Sequence, residues 1–266
     1  PPPPPNMQYT PLIHNTLSAF TSQFYYVGLL GVSIDGEMLE GIPAGAFAIH
    51  PGTGDGGTIL DSGTTLTSFV DDAYHIIVKA FERAMLRYPM HGTEEHRNEY
   101  IGGPFLCYRF DSPPSSAPSV ALHLAQGSAL ALRPAHLFWR LLDSDTTDNT
   151  SDIYCLAFTN SGPLESGARN VIGNFQQQDF LVHYDMRNSR VGFAEVRCND
   201  SIFRRHPDVV VVEGLSLISW VEGQGIMVGF VSNLLANIVV GYYSCFVPKA
   251  IGYHTHTHTY IYMSPE

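Results

Sequence analysis

One carboxylate stands out by its setting. Asp61 lies in Gly57-Thr58-Ile59-Leu60-Asp61-Ser62-Gly63-Thr64-Thr65-Leu66-Thr67, between an apolar approach and a Ser-Gly-Thr turn. The approach predicts a buried strand, and Leu66-Thr67-Ser68-Phe69 predicts a second strand leading away. Gly63 would free the backbone for a tight turn, and Thr64 could bond groups across it. An acid held at such an apex can exchange a proton with a bound reactant. Asp-Ser-Gly by itself is also an ordinary turn, so the longer string has to carry the reading.

Other reactive side chains are less well placed. His91 and His96 have no carboxylate in register and read as solvated. Gly54, Gly56 and Gly57 precede no Gly-Lys-Ser/Thr and so do not match a phosphate loop. His254, His256 and His258 alternate on no fixed scaffold, and no metal site or cofactor is assigned. Cys107, Cys155, Cys198 and Cys245 are widely spaced, which leaves buried thiols and disulfides both open. Sequons at Asn149 and Asn199 favour a secreted history with glycosylation. The formal charge of -11, with Lys79 and Lys249 the only lysines, argues against nucleic acid as a partner.

Several elements must position Asp61. Phe24 to Ile34 is aromatic and β-branched and predicts a long strand with glycine bends. Asp35-Gly36 predicts a hairpin turn, with Met38 to Ile42 as the return strand. Phe47 to His50 predicts a short strand before the glycine-rich connection. Asp71 or Asp72 could cap a helix whose stripe is Tyr74, Ile77, Val78, Phe81 and Met85. His91 to Tyr100 predicts a polar loop. Strands follow at Phe105 to Phe110, Val120 to Leu124, Ala129 to Leu132, Leu137 to Trp139 and Ile153 to Phe158. Phe180 to Tyr184 and Arg190 to Ala194 predict a closing hairpin around Asp185 to Ser189.

The string around Asp61 closely resembles the second active-site motif of pepsin-like aspartic proteases, in the plant, nepenthesin-like branch. Val171-Ile172-Gly173, followed by Asn174-Phe175-Gln176-Gln177-Gln178-Asp179-Phe180, resembles that family's ψ-loop crossing, where two apolar residues and a glycine pass beside the catalytic loop. The resemblance runs from about Tyr9 to Cys198. It implies an all-β fold, a single pepsin-like lobe with a few short helices, and a disulfide between Cys107 and Cys155. It also implies aspartic endopeptidase activity on protein or peptide substrates, with Asp61 catalytic. Ser62, Gly63 and Thr64 would support the loop, Thr64 by bonding across the base of the paired loops, and Thr65 would contact substrate. The family's setting is secreted, extracellular or vacuolar.

Pepsin-like proteases use two carboxylates about 3 Å apart, one of them protonated, to activate a water and polarise the peptide carbonyl. No second Asp-Thr/Ser-Gly occurs among the 266 residues. The chain as written is therefore expected to be the C-terminal lobe only, inactive without the N-terminal lobe. Plant xylanase inhibitors share the fold without catalysis, so a non-catalytic protein-binding module is the alternative. Residues 1–8 predict a proline-rich linker, and no signal peptide is visible in the chain as given. Residues 199–266 read as an atypical, irregular tail. The uncharged run 226–247 is long enough to contact or span a membrane. The His-Thr and Tyr-Ile repeats are also what CA and TA dinucleotide repeats encode, which suggests read-through or a mispredicted exon.

Overall fold

A computed structural model describes residues 3–17, 21–88, 93–97, 104–110, 114–141, 152–164, 167–196, 209–212, 239–246 and 257–264. In chain order the first strands are β1 (Gln8–Ile13), β2 (Tyr25–Val27), β3 (Leu29–Ile34), β4 (Glu37–Met38), β5 (Thr58–Asp61) and β6 (Thr67–Phe69). Helix α1 (Asp71–Met85) follows, then β7 (Thr93–Arg97), β8 (Pro104–Phe110), β9 (Val120–Leu124) and β10 (Ala129–Leu132). Next come α2 (Pro134–Leu137), β11 (Phe138–Leu141), β12 (Asp152–Leu156), β13 (Phe158–Asn160), β14 (Asn170–Gly173) and α3 (Asn174–Gln177). The lobe closes with β15 (Phe180–Asp185) and β16 (Arg190–Glu195); β17 (Val209–Val212), β18 (Val239–Phe246) and β19 (Thr257–Ser264) lie beyond it.

The large sheet has the order β13-β6-β14-β5-β2-β1-β16-β15, extended past β15 by β18, β19 and β17. Two four-stranded sheets accompany it, β10-β9-β3-β4 and β11-β12-β8-β7. The apolar face of α1 enters the core through Tyr74, Ile77, Phe81 and Met85, with Ile77, Phe81 and Met85 fully buried. One cluster joins this helix to Val32, Phe69, Leu122, Tyr108 and Phe193. Thirty-odd buried apolar side chains in one continuous core explain why the sheets stack as a single lobe.

The all-β expectation is met, and the differences from the sequence reading have local causes. The Phe24–Ile34 run splits at Gly28 into β2 and β3, which join different sheets. Asp35 and Gly36 both have positive φ, as a two-residue hairpin turn requires, but the return strand stops at Met38. Phe47 to His50 is turn, not strand; only an isolated bridge, Ile49 to Gly56, survives. Neither Asp71 nor Asp72 caps α1: Val70 occupies the N-cap with no side-chain bond, and both acids sit in the first turn, where they favour the helix dipole. Residues 93–97 form an edge strand within the expected polar loop. Leu137 ends α2, one residue before β11 begins.

The tail adds three strands by its backbone pairing, β15 to β18, β18 to β19 and β19 to β17. Asn149, Asn199, Cys198, His91, His254, His256 and residues 226–238 of the apolar run lie outside the described residues. Among the described residues, no helix is long and apolar enough to cross a membrane.

Candidate active site

β5 delivers Asp61 to the apex from a buried stem. Thr58, Ile59 and Leu60 are buried while Asp61 is part-exposed and Ser62, Gly63 and Thr65 are exposed. β14 runs parallel beside it with Val171 opposite Ile59, Ile172 opposite Leu60 and Gly173 opposite Asp61. β13 runs parallel to β6, and β14 bridges antiparallel to β6 at Val171 and Ser68. The strands entering and leaving the apex are thus clasped by one returning segment. The register places Val171-Ile172-Gly173 beside the strand that carries Asp61.

Gly173 is required by the closeness of that crossing. A Cβ there would fall 2.6 Å from the Leu66 carbonyl carbon and 2.9 Å from the Thr64 carbonyl oxygen. Those contacts are with backbone, which cannot yield without opening the loop. Gly63 differs from the expectation. It is not among the glycines of positive φ, and its need is proximity: a Cβ would meet Asp61 Oδ1 at 3.1 Å.

The carboxylate is held from within its own loop. The Gly63 N–H donates to Asp61 Oδ1 at 2.8 Å, and the Thr64 hydroxyl donates to Oδ2 at 2.7 Å. Thr64 therefore spends its hydroxyl on Asp61, where the resemblance assigned it to a bond across paired loops. Each oxygen retains acceptor capacity, since a carboxylate offers about four lone-pair sites. Thr65 contributes its carbonyl, which takes the Phe175 N–H at 2.9 Å. A groove of about 500 Å³ lies elsewhere, lined by Val27, Leu29, Met38, Ile42, Phe47 and Gly57, and Asp61 is not part of its wall. Asp61 is thus a part-exposed carboxylate fixed at the apex by its own loop.

Behind the loop, the Cys107–Cys155 disulfide joins directly opposed residues of β8 and β12. Both sulfurs are buried in a small cluster with Leu66, Ile153 and Ala157, against Trp139 and Phe175. The bond therefore braces the floor under the apex. His136 is buried nearby and receives the Arg133 N–H on Nδ1 at 3.1 Å. Burial, reinforced by the Arg133 guanidinium and opposed by Asp179, pushes its imidazole down to about 4.

Three buried polar residues escaped the sequence reading of the site. Asn170 accepts the Val70 N–H and donates to the Ala46 and Gly57 carbonyls. Gln177 donates to the Ile172 carbonyl at 2.7 Å, and Gln176 bonds three separate segments. Their types suggest surface, and a four-residue helix has no period to betray a buried face. Among the described residues, no group of three or more His, Cys, Asp or Glu could hold a metal ion.

A β-lobe with a ψ-crossed Asp-Ser-Gly apex is the C-terminal lobe of a pepsin-like protein. The chain belongs to the family described as xylanase inhibitor C-terminal, whose model matches residues 24–195. Aspartyl protease 25 of Oryza sativa subsp. japonica is 34% identical over 197 residues, covering 74% of this chain and 41% of that protein. Aspartic proteinase nepenthesin-1 of Nepenthes gracilis is 34% identical over 180 residues, covering 67% of this chain and 36% of that protein. The chain spans less than half the length of these curated relatives. The crystal structure of edgp superposes with a TM-score of 0.56 at 22% identity, covering 72% of this chain and 46% of that one, a likeness of fold.

Proposed function

We propose that this lobe supplies one catalytic carboxylate, Asp61, to an aspartic endopeptidase built from two lobes. The observation that carries the reading is the Asp61 carboxylate itself, fixed by Gly63 and Thr64 with acceptor capacity left outward. A second acid placed over it would share one proton with it, and the pair would activate a water for attack on a peptide carbonyl. Alone, the lobe has no such partner and is inactive. The buried disulfide supports folding in an oxidising compartment, as in secretion or delivery to a vacuole.

The test is reconstitution. The chain alone, and the chain refolded with an N-terminal lobe bearing Asp-Thr-Gly, are incubated with a denatured protein at acidic pH, with and without pepstatin. Only the mixture cleaves, pepstatin stops it, and Asp61→Asn lowers the rate by about 10³-fold or more. Pepstatin-sensitive cleavage by the lone chain, or none by the folded mixture, refutes the proposal.

The family's description as xylanase inhibitor C-terminal favours a second reading, a protein-binding module that does not cleave. That reading expects xylanase to be retained on immobilised chain, with Asp61→Asn binding unchanged.

A further inference from the structure

We infer that Gln176 is a positioning residue that sets the geometry of the Asp61 apex; this rests on the reading of Asp61 as half of an acid pair. Its side chain is wholly buried. Its oxygen accepts the Thr67 N–H at 3.0 Å. Its nitrogen donates to the His136 carbonyl at 2.8 Å and to the Ala157 carbonyl at 3.1 Å. A carboxamide has one acceptor oxygen and two donor hydrogens, and all are engaged here. No other side chain of this length offers the set: Glu lacks donors when ionised, and Met lacks both.

The partners make this a matter of positioning as well as of filling the core. Thr67 is the first residue of β6, where the apex ends. Its hydroxyl accepts the Gly173 N–H at 3.0 Å, and Gly173 is the register partner of Asp61. The path Gln176, Thr67, Gly173 therefore ties the exit of the apex to its entry. The same segment holds the crown: the Asn174 N–H donates to the Thr64 carbonyl at 2.7 Å and the Phe175 N–H to that of Thr65. Ala157 and His136, the other two anchors of Gln176, lie at the β12–β13 junction and in α2. Gln176 thus ties the apex to α2 and reinforces the β13–β6 pairing that begins at Thr67. Leaving a buried backbone donor or acceptor unpaired is costly enough to let the exit shift.

The test uses the whole chain, labelled with ¹⁵N. The Gly63 N–H bonds Asp61 Oδ1, so its proton resonance follows the charge on that carboxylate as pH is lowered. Gln176→Met keeps the length and removes every bond. It is expected to shrink the pH-dependent displacement of the Gly63 resonance and to speed Thr67 amide exchange about tenfold. Ile77→Val, a core trimming in α1, is expected to lower Tm and leave the Gly63 displacement intact. A Gln176→Met chain that behaves like Ile77→Val overturns the inference, because Gln176 is then ordinary core. If Gln176→Met does not fold, Gln176→Glu takes its place. Protonated, that side chain can still serve Thr67 and one carbonyl. Its Gly63 resonance is expected to match the parent in acid and diverge as pH rises; a match at every pH overturns the inference. None of these readouts needs proteolysis, so failure here and failure of the endopeptidase reading are told apart.

Discussion

Two buried titratable side chains make the stability of this lobe depend on acid. His136 is neutral in the fold, with its imidazole pushed down to about 4 by burial and Arg133. Unfolded, it regains a value of about 6.5. Between those limits the unfolded chain binds the extra proton, so its contribution is full above about 6.5 and declines as pH falls towards about 4. The ceiling is about 3 kcal/mol. His136→Asn keeps an acceptor for the Arg133 N–H and does not titrate; urea unfolding from pH 4 to 6.5 should show a flatter slope than in the parent. Asp185 adds to the same trend lower down. Burial would raise its pKa, but hydrogen bonds from Asn188 and Arg190 outweigh burial and hold it below the ordinary carboxyl value of 3.8. Its stabilisation is present above that unfolded value and is lost as pH falls through the folded one. Asp185→Asn is expected to cost about 1 kcal/mol near neutrality and little in strong acid, measured by the same titration. Asp61 was legible as a candidate site residue because an apolar stem and a Gly-Thr turn bracket it. Gln176 and Asn170 were not, because their burial is decided by partners about a hundred residues away.

At the scale of elements, the sequence was clearest where the chain is periodic. Tyr74, Ile77, Phe81 and Met85 repeat at helical spacing, and they are the buried face of α1. Val120 to Leu132, with Gln126-Gly127 between, folds into the expected hairpin. Failures fall where tertiary contact overrides local pattern. Phe47 to His50 has a strand's composition, yet Gly54, Gly56 and Gly57 take positive φ and turn the chain back so tightly that only the Ile49–Gly56 bridge forms. A Cβ on Gly57 would lie 2.8 Å from the Tyr26 ring. Residues 93–97 are polar, but an edge strand needs only one paired side and can carry polar residues. Ile77→Ala should destabilise the lobe by about 2–5 kcal/mol, read as a shift of the denaturant midpoint. The disulfide closes a separation of 48 residues, for which chain entropy predicts about 4 kcal/mol. Cys107→Ala with Cys155→Ala is expected to lower stability by about 2–4 kcal/mol. Because both sulfurs lie against the Leu66 cluster, amide exchange at Thr65 and Leu66 should rise with it.

The molecule as a whole presents an acidic surface, with a formal charge of -11 that self-repels and falls in magnitude as carboxylates protonate. A partner lobe covering Asp61 is therefore expected to associate more slowly at pH 7 than at pH 4 if it too is acidic, and added salt should narrow the gap in a mixing experiment. The bond between β6 and α3 has a different consequence, one of timing. Thr67 and Gln176 are 109 residues apart, and nothing nearer in the chain makes their bond. At roughly 5–20 residues per second, a ribosome needs roughly 5–20 s to travel from one to the other. For that interval each nascent chain already holds its acid but has no clasp to aim it. Synthesis itself becomes a delay line, and a polypeptide released early carries Asp61 on a loop that Gln176 has not yet clasped.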